Sequence, residues 1–518
     1  MICVFWYHCE CHLLIIVRTT YFMSPTSDLL GQTLAQADFH PKLPQQRRLY
    51  EAAKAAIHQQ RLAAGSKLPS SRDMARDLGI SRNTVIAAFE QLAAEGYVSS
   101  ALGSGTYVAD LQAHRASMRG AGAVSHAGRA TPRTVLLSRR GQELTTYAAG
   151  PRFEIQPFAG DADFSSFPFK LWQRLQNRVW REAREELLDY GQSGGYLPLR
   201  QAITDYLRMS RSVKVEVEQV MITAGTQQSL DLCAQLLADA GDTAWVEDPC
   251  YWGARRAFQA RELKLHPITV DSDGMALEAA DLATKPRLIY VTPSHQYPTG
   301  AVMSLARRRE LLDVAVRKDA WILEDDYDSE FRYTGRPLAA LQGLDNDDRV
   351  LYMGTFSKVL YPGIKVGYLV VPPALIDAFK SALYDLQRPG QLMVQAALAD
   401  FIALGHFTTH IRKIRQTYGA RRELLRRTLE QRLAGLPVTI SREESGLHLV
   451  LELPDSVDDV ALEKLAVGSG IQVKALSAYY LAPPVRCGLL VGYAYCTPEK
   501  ITQYGPLLAA IIKSGVRA

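Results

Sequence analysis

The chain is poor in cysteine, with seven residues of this type among 518, at positions 3, 9, 11, 233, 250, 487 and 496. This scatter argues against a disulfide framework and favours a reducing compartment, where thiols stay free. Near the N-terminus, Cys9 and Cys11 have His8 and His12 beside them, but this spacing matches no standard zinc site. We therefore expect a cytoplasmic protein without a metal site.

A long apolar run is also missing. The apolar stretch within the first 22 residues is interrupted by polar and charged side chains, and it is too short to span a bilayer. It also lacks the basic start and the small-residue cleavage site of a signal peptide. We expect no membrane association. Our hypothesis is that residues 1–22 are a mis-called extension ahead of Met23, and we expect residues 1–40 as a whole to be an N-terminal extension that is either disordered or a mis-called start.

No strong excess of charge is present, since the formal net charge is +5. The positive charge is nevertheless concentrated in one part of the chain. Residues 41–145 hold 15 Lys or Arg and 7 Asp or Glu, whereas residues 146–518 carry a net charge of about −1. A polyanion is therefore expected to contact the first third of the chain, if any part of it.

Residues 41–109 have the pattern of a helix-turn-helix with a wing. Apolar residues recur at helical spacing over 45–62. Ser70, followed three residues later by Asp73, predicts the start of a short helix, and Ser81 predicts the cap of a second helix after a turn at 78–80. Two short strands on either side of Gly103 complete a wing.

The first turn of the second predicted helix contains Arg82, Asn83 and Thr84. In a helix-turn-helix this turn faces the base edges of the DNA major groove. Residues 110–145 lack a sustained period and are rich in Ala, Gly, Ser and Arg, so a flexible linker is expected there.

From residue 146 to 518, helical stretches alternate with short apolar runs, which predicts an α/β domain with a mostly parallel sheet. The predicted strands are 220–223, 243–246, 288–292, 321–323, 350–353 and 366–371. Ligand-binding loops in such sheets follow the carboxyl ends of the strands.

Four motifs lie at those ends: AGTQQSLDL (224–232), TPSHQYPTG (292–300), EDDYDSEF (324–331) and GTFSKVLYPGIKVGY (354–368). Lys358 is a candidate amine for capturing a carbonyl group, because it lies in a turn with Ser before it and Pro and Gly after it. Asp325 or Asp326 offers a carboxylate for a pyridine nitrogen, and Tyr327 a phenol for a ring oxygen. Gly225 and Thr226 open a helix that favours phosphate. Together these are the parts of a pyridoxal phosphate (PLP) site.

In this order, the motifs resemble the fold type I, aspartate aminotransferase-like PLP enzymes, and in wording they resemble the regulatory MocR/GabR family. LPSSR, LGISRNTV, LAAEGYV and GSGTYV resemble the GntR-type winged helix-turn-helix. The resemblance runs from about Leu43 to the C-terminus. It implies an α/β fold type I domain with a parallel-rich sheet, preceded by a winged helix-turn-helix, and it implies PLP, double-stranded promoter DNA and a homodimer as partners.

The resemblance also assigns roles to single residues. It favours Asp325 over Asp326 for the pyridine nitrogen and places Tyr190 against the phosphate of a neighbouring subunit. The implied cofactor-binding residues are Lys358, Asp325, Tyr327, Gly225, Thr226, Gln227, Tyr251, Thr355, Ser357, Lys365 and Tyr190, with Lys358 as the Schiff-base lysine. The implied DNA-contacting residues are Arg72, Ser81, Arg82, Asn83, Thr84 and Gly103.

Three departures from the transaminase pattern are visible. Lys365 replaces the arginine that most relatives use at the phosphate, and Tyr297 replaces the asparagine before Pro-Thr-Gly. Leu490 falls where transaminases place the arginine that binds an α-carboxylate. The nearest alternatives for that arginine are Arg486 on one side and Arg255 or Arg256 on the other.

These observations favour a transcriptional regulator in which PLP, or its aldimine with an amine or amino acid effector, modulates promoter binding. The alternatives are an active PLP-dependent aminotransferase with an accessory DNA-binding head, and a regulator whose large domain has lost PLP and only dimerises. The expected division of the chain is an extension at 1–40, the DNA-binding domain at 41–109, the linker at 110–145 and the PLP-binding domain at 146–518.

Overall fold

A computed structural model describes residues 23–36, 39, 43–101, 105–110, 137–145, 156–182, 184–190, 193–335, 338–387, 390–442 and 445–517. The chain divides into two compact units, with the boundary between Thr134 and Val135. The cysteine and histidine cluster at 8–12 and the wing residue Gly103 lie outside the described residues.

The first unit is a helical bundle with a two-stranded antiparallel sheet. Its elements are α1 (Pro25–Gln36), α2 (Gln45–His58), α3 (Ser71–Leu78), α4 (Arg82–Ala94), β1 (Val98–Ala101) and β2 (Gly105–Val108). The apolar faces of the helices meet in one core, which includes Leu49, Met74, Val85 and Leu92. This is the helix-turn-helix with a wing that the sequence predicts.

Capping side chains set the two ends of the turn between α3 and α4. The Ser70 hydroxyl accepts a hydrogen bond from the Asp73 amide at 3.2 Å, and the Ser81 hydroxyl accepts one from the Thr84 amide at 3.1 Å. Gly79 ends α3 in the left-handed conformation, with φ of 64°. Because each cap satisfies an amide that the helix leaves free, these residues fix where α3 and α4 begin.

Helix α1 corrects the expectation that residues 1–40 are disordered throughout. It packs on α2 and α3, with Leu30 fully buried and the Ser27 hydroxyl 3.7 Å from the Met74 sulfur. The second correction concerns the predicted linker at 110–145, which ends in a short helix, α5 (Arg139–Thr145).

In its described residues, the second unit contains α5 and eleven further helices, with two sheets. The helices are α6 (Phe169–Arg181), α7 (Leu197–Arg211), α8 (Thr226–Leu237), α9 (Trp252–Ala260), α10 (Ala279–Leu282), α11 (Leu305–Lys318), α12 (Ile376–Ala382), α13 (Leu392–Ala403), α14 (His406–Leu433), α15 (Asp459–Gly468) and α16 (Pro498–Arg517). Shorter 3-10 turns and one π-helical turn, Leu383–Gln387, link some of these helices.

The larger sheet has eight strands: β3 (Val220–Thr223), β4 (Thr243–Asp248), β5 (Lys264–Asp271), β6 (Gly274–Met275), β7 (Leu288–Val291), β8 (Trp321–Asp326), β9 (Val350–Thr355) and β10 (Gly367–Val370). Their order is β3-β10-β9-β8-β7-β4-β5-β6. The run from β9 to β5 is parallel, and β10 is antiparallel to both of its neighbours. The predicted parallel-rich sheet is confirmed, with β10 inserted against its direction.

A second, antiparallel sheet in the order β11-β12-β14-β13 lies nearer the C-terminus. Its strands are β11 (Thr439–Ile440), β12 (His448–Leu453), β13 (Lys474–Ala475) and β14 (Cys487–Gly492). The two sheets share one apolar core, because Leu451 and Leu489 of the smaller sheet belong to the same cluster as Val220 in β3 and Phe356 after β9.

Within the described residues, no single helix is long and apolar enough to cross a membrane. Helices α13 and α14 together pass the same test of length and composition, but the pair is bent by 76°. Both helices contribute buried residues to the apolar core of the second unit.

Candidate functional site

A cavity of about 370 Å³ lies in the second unit, beyond the carboxyl ends of β7, β8 and β9. Residues from both sheets line it. Ten of the eleven residues predicted to bind the cofactor are in its wall: Gly225, Thr226, Gln227, Tyr251, Asp325, Tyr327, Thr355, Ser357, Lys358 and Lys365. The wall also contains residues that sequence reasoning assigned no role, among them Asp161, Trp252, Tyr290, His448, Gln472 and Lys474.

Lys358 lies in the turn that follows β9. Thr355, the last residue of the strand, holds the start of this turn, because its hydroxyl accepts a hydrogen bond from the Ser357 amide at 3.2 Å. The amine is therefore carried on a loop whose base is fixed by a buried strand. This is the position in an α/β sheet where binding side chains are expected.

The two neighbouring carboxylates of β8 face opposite sides of the sheet, as successive strand residues do. They are the last two residues of the strand, although the sequence analysis placed them just past it. Asp326 Oδ2 accepts hydrogen bonds from Arg211 Nε at 2.8 Å and from the Tyr352 hydroxyl, and Arg211 Nη2 forms an ion pair with it at 2.8 Å. Asp326 is thus paired with Arg211 and is not part of the cavity wall, whereas Asp325 lines the cavity.

Asp325 is 3% exposed, and its Oδ2 accepts a hydrogen bond from the Tyr290 hydroxyl at 2.9 Å. Its Oδ1 is buried and has no hydrogen-bond partner. Burial disfavours the charged carboxylate and raises the pKa of Asp325 to about 7, and the nearby Asp326 and Asp328 act in the same direction. An unpartnered buried oxygen is costly, so this atom is suited to a ligand that donates a hydrogen bond.

Another part of the cavity wall is formed where β3 leads into α8. Gly225 caps the helix with φ of 115°, a conformation that favours glycine, and the Thr226 hydroxyl at the first helical position is buried without a partner. The first amides of a twelve-residue helix point towards this space and favour an anion. Lys365 lines the same cavity and adds a positive charge.

Aromatic side chains also line the cavity, among them Tyr251, Tyr297, Tyr327 and Tyr479. The Tyr297 ring makes edge-on contacts with Tyr251 and Tyr327, with centroids 5.8 Å and 5.7 Å apart. The Tyr297 hydroxyl lies 3.0 Å from that of Tyr479. Tyr297, which replaces the transaminase asparagine, therefore links the larger sheet to the loop before β14.

Behind Tyr327 lies a buried pair that the sequence analysis missed. His295 Nδ1 is 2.9 Å from Asp328 Oδ2 and 3.0 Å from the Tyr327 hydroxyl. Both residues belong to motifs that the sequence displays, TPSHQYPTG and EDDYDSEF. Their contact was not predictable, because it joins side chains from the ends of two different strands.

Leu490, the residue that the sequence resemblance places at the carboxylate-binding arginine of transaminases, lines the cavity. Arg486 does not line it, because its guanidinium pairs with Glu452 at 3.1 Å. Arg255 is also outside the wall and donates to the carbonyls of Tyr479 and Tyr480. Arg256 is likewise absent from the lining. Among the described residues, the cations of the wall are all lysines: Lys358, Lys365 and Lys474.

Tyr190 is the predicted cofactor residue that the structure does not bring to the cavity. It is 56% exposed in a turn before α7. Its predicted partner is the phosphate of a neighbouring subunit, so its role stays a prediction.

Five of the predicted DNA-contacting residues surround the capped turn of the first unit. Ser81, Arg82 and Asn83 are exposed at the start of α4, Thr84 is partly exposed behind them, and Arg72 is exposed at the start of α3. The Arg82 Nε lies 3.4 Å from the Ser71 hydroxyl. The sixth predicted residue, Gly103, is outside the described part of the chain.

The residues of the cavity fit PLP. The unpartnered Asp325 Oδ1 suits a protonated pyridine nitrogen, and the unpartnered Thr226 hydroxyl at a helix N-terminus suits a phosphate. Lys358 and Tyr327 line the same cavity. The cavity volume of about 370 Å³ lies within the range of small-molecule sites.

Comparison with known families and proteins agrees with this geometry. The family "Aminotransferase class I and II" matches residues 159–503, and "Bacterial regulatory proteins, gntR family" matches residues 45–108. The aminotransferase class I and II fold implies a PLP cofactor. Within the first unit, the GntR match implies DNA binding.

The chain is 41% identical over 466 residues to the probable rhizopine catabolism regulatory protein MocR of Rhizobium meliloti, covering 89% of this chain and 92% of that protein. It is 33% identical to the pyridoxine biosynthesis transcriptional regulator PdxR of Corynebacterium glutamicum, covering 83% and 88%. Among solved structures, the kynurenine aminotransferase of Pyrococcus horikoshii is similar, with 28% identity, a TM-score of 0.65 and coverage of 73% and 94%.

Proposed function

We propose that PLP controls the DNA binding of this chain, which belongs to the MocR-type transcriptional regulators, proteins that join a GntR helix-turn-helix to an aminotransferase class I and II domain. As a member of this family the chain is a DNA-binding regulator of transcription. We assign DNA binding to residues 41–109 and cofactor binding to residues 146–518, and we place the protein in the cytoplasm.

The observation that carries the proposal is the buried, unpartnered Asp325 Oδ1 in the same cavity wall as Lys358. When bound, PLP supplies an aldehyde that condenses with amines and a pyridine ring that accepts electrons. Asp325 would accept the ring N–H, and the Thr226 hydroxyl and Lys365 would hold the phosphate together with Gly225, Thr355 and Ser357. Lys358 would provide the amine that binds the aldehyde.

Aromatic and amide side chains complete these roles. Tyr327 would donate its hydroxyl proton to the ring oxygen, and Tyr251 would stack on the ring face. Gln227 would stay in place beside the phosphate, because its amide donates to the Gly253 carbonyl at 2.9 Å. Each of these side chains binds or orients the cofactor.

We further propose that the effector is PLP itself or PLP carrying a small amine or amino acid. The wall offers Leu490 where transaminases offer an arginine, which disfavours recognition of an α-carboxylate and favours other amines. For the effector to act, it must bind one arrangement of the protein more tightly than another. In a homodimer, Tyr190 would complete the phosphate site of the neighbouring subunit.

The experiment that tests cofactor control combines absorption with DNA binding. Purified wild-type protein mixed with PLP should show a visible to near-ultraviolet band that persists after gel filtration, and Lys358→Ala should abolish it. Lys413→Ala, at an exposed position on α14, removes the same charge and should leave the band unchanged. DNA binding to the protein's own upstream region should change with PLP in the wild type and in Lys413→Ala only.

Two outcomes would point elsewhere. A colourless wild-type protein at saturating PLP would leave a regulator whose large domain only dimerises. Steady turnover of an amino donor and a keto acid would support the alternative, an active aminotransferase with an accessory head.

The DNA-reading surface is tested through Arg82. Arg82→Ala should weaken binding to the preferred site by about 10- to 100-fold and binding to random DNA by less, because base contacts carry sequence discrimination. Arg61→Ala removes the same charge from the first unit at an exposed position after α2 and provides the control. An equal loss on both kinds of DNA would show that Arg82 contacts only the phosphate backbone.

A further inference from the structure

We infer that the buried pair His295–Asp328 is a positioning element that keeps the Tyr327 hydroxyl proton directed into the cavity. The inference rests on the proposed PLP function, because the group that would receive this proton is the ring oxygen of the cofactor. It assigns a role to two residues that belong to the motifs at the cavity but do not line it.

The geometry is a triangle of polar atoms shielded from solvent. His295 is 4% exposed and Asp328 is 2% exposed. A single ring nitrogen, His295 Nδ1, lies within hydrogen-bond distance of both Asp328 Oδ2, at 2.9 Å, and the Tyr327 hydroxyl, at 3.0 Å. An ionised carboxylate can only accept, so the hydrogen between His295 and Asp328 must be carried by Nδ1.

This tautomer decides what the Tyr327 hydroxyl can do. Because Nδ1 carries a hydrogen, it cannot accept one, and towards it the tyrosine oxygen is an acceptor. The tyrosine proton then has two remaining acceptors: the Asp328 carboxylate, which is close enough to interact, and whatever occupies the cavity. Because His295 donates to Asp328, the carboxylate becomes a weaker acceptor for the Tyr327 proton. The proton is then available to the group that occupies the cavity.

The His295 imidazole is held in this position because it packs directly against the backbone of Gly446. A Cβ added at Gly446 would lie 2.1 Å from His295 Cε1, so the ring packs directly on the glycine backbone. Gly446 is itself fixed, because its amide donates to the Phe331 carbonyl at 2.9 Å and its carbonyl accepts from the Tyr333 and Tyr493 hydroxyls at 2.7 Å and 2.6 Å.

Other charged and titratable groups surround the triangle. Asp325 and Tyr297 face Tyr327, and Lys358 and His295 face His448, whose ring is 5.8 Å from that of His295. Burial lowers the pKa of His448 to about 4, so this second imidazole is neutral and adds no charge near neutral pH. The charge nearest to His295 is therefore that of Asp328.

A hydroxyl that donates to the cofactor ring oxygen stabilises the negative charge on that oxygen. Loss of this hydrogen bond should raise the pH at which the bound cofactor gives up its proton. This proton loss is seen as a change in the visible absorption of the cofactor. We expect His295→Ala to raise this spectral midpoint by about one pH unit, as expected for the loss of one hydrogen bond to a charged group. Tyr327→Phe should raise it by at least as much.

The decisive measurement is the double variant. His295→Ala should have no further effect in a Tyr327→Phe background, because its action passes through the missing hydroxyl. His295→Asn keeps an N–H donor near the position of Nδ1 and should restore the wild-type midpoint. As a control, His266→Ala breaks another histidine–carboxylate pair, with Asp281 at 2.8 Å, whose residues are not in the cavity wall.

The outcomes separate this inference from the proposal beneath it. If the wild-type protein binds no PLP, both are overturned. If it binds PLP but His295→Ala titrates like the wild type, or shifts the midpoint equally with and without the Tyr327 hydroxyl, only the positioning role is overturned. Should His295→Ala fail to fold, His295→Gln, whose longer amide is displaced from the Nδ1 position, replaces it, and its midpoint is compared with that of His295→Asn.

Discussion

The two units of the chain present their functional residues in opposite ways. In the first unit, Ser81, Arg82 and Asn83 are exposed on a turn, and buried residues such as Val85 only support them. In the second unit, Asp325, His295 and Asp328 are almost completely buried, and Asp325 Oδ1 lacks a hydrogen-bond partner. Substitutions should therefore separate binding from stability in the first unit and couple the two in the second.

The largest effect is expected from a glycine of the second unit. A Cβ at Gly367 would lie 2.7 Å from the Cα of Gly225, the N-cap of α8, and 2.9 Å from the carbonyl oxygen of Gly354 in the paired strand β9, and these backbone atoms cannot move away without disturbing both elements. Gly367→Ala should destabilise this unit by about 4 kcal/mol. Gly79→Ala in the first unit meets no atom within 4 Å and should cost about 1 kcal/mol, since only its φ of 64° is unfavourable.

Tryptophan fluorescence of the full chain can measure the first of these changes. Five of the six tryptophans, at 172, 180, 245, 252 and 321, belong to the second unit. Hydrogen exchange over residues 71–94 can measure the other. Equal costs for the two glycines would contradict the contrast between the units.

A pH-dependent effect comes next and concerns Asp325. The pKa of this carboxyl is raised from 3.8 to about 7 in the folded protein, so its favourable contribution is complete below the unfolded pKa near 4 and is lost as the pH rises through about 7. The limit of this loss is about 4 kcal/mol, and we expect about 2 kcal/mol after relaxation. Without PLP, Asp325→Asn should be more stable than the wild type at pH 8, and this advantage should shrink towards pH 5.

Urea unfolding across this pH range, followed by tryptophan fluorescence, checks the expectation. The matched control is Asp326→Asn, which leaves buried Arg211 without its charged partner and should destabilise the protein at every pH in the range. Glu247 and Glu324 also have pKa values raised to about 7 by burial, so the Asp325→Asn variant should keep part of the wild-type dependence of stability on pH. An Asp325→Asn protein with the full wild-type pH dependence would contradict the assignment.

The smallest effect belongs to the caps of the first unit. Ser81→Ala removes the acceptor of the Thr84 amide and should cost about 1 kcal/mol in the local stability of α4. Ser70→Ala removes the equivalent cap of α3 at a similar cost. Hydrogen exchange should show each helix weakened separately, while the visible spectrum of the PLP-bound protein stays unchanged in both.

Much of this architecture was predictable from local sequence. Strand β3 was predicted with its observed bounds, and the caps Ser70 and Ser81 were predicted because they depend on residues three positions apart. Ten cofactor candidates meet in one cavity, because parallel strands bring their carboxyl ends to one edge. Helix α1 was not predicted, since its position depends on Leu30 and on the contact of Ser27 with Met74, 47 residues away.

The contacts that were missed have the same origin. The choice between Asp325 and Asp326 needed the family pattern, because strand alternation places them on opposite faces but does not say which face meets the cavity. Arg211 identifies the other face, and it comes from the end of a helix 115 residues earlier. The grouping of His295 with Asp328 and Tyr327 likewise depends on the order of β7 and β8 in the sheet.

The bare backbone at position 446 has a mechanical consequence. Gly446 lies in the loop before β12 of the smaller sheet and packs on the imidazole of His295, which follows β7 of the larger sheet. Any Cβ at position 446 would collide with that ring. This contact joins the two sheets in addition to the apolar core that they share and the Tyr297–Tyr479 hydrogen bond. Any shift of the Gly446 loop relative to the larger sheet would displace His295, and through its contact with the Tyr327 hydroxyl it would alter the orientation of the tyrosine at the cavity.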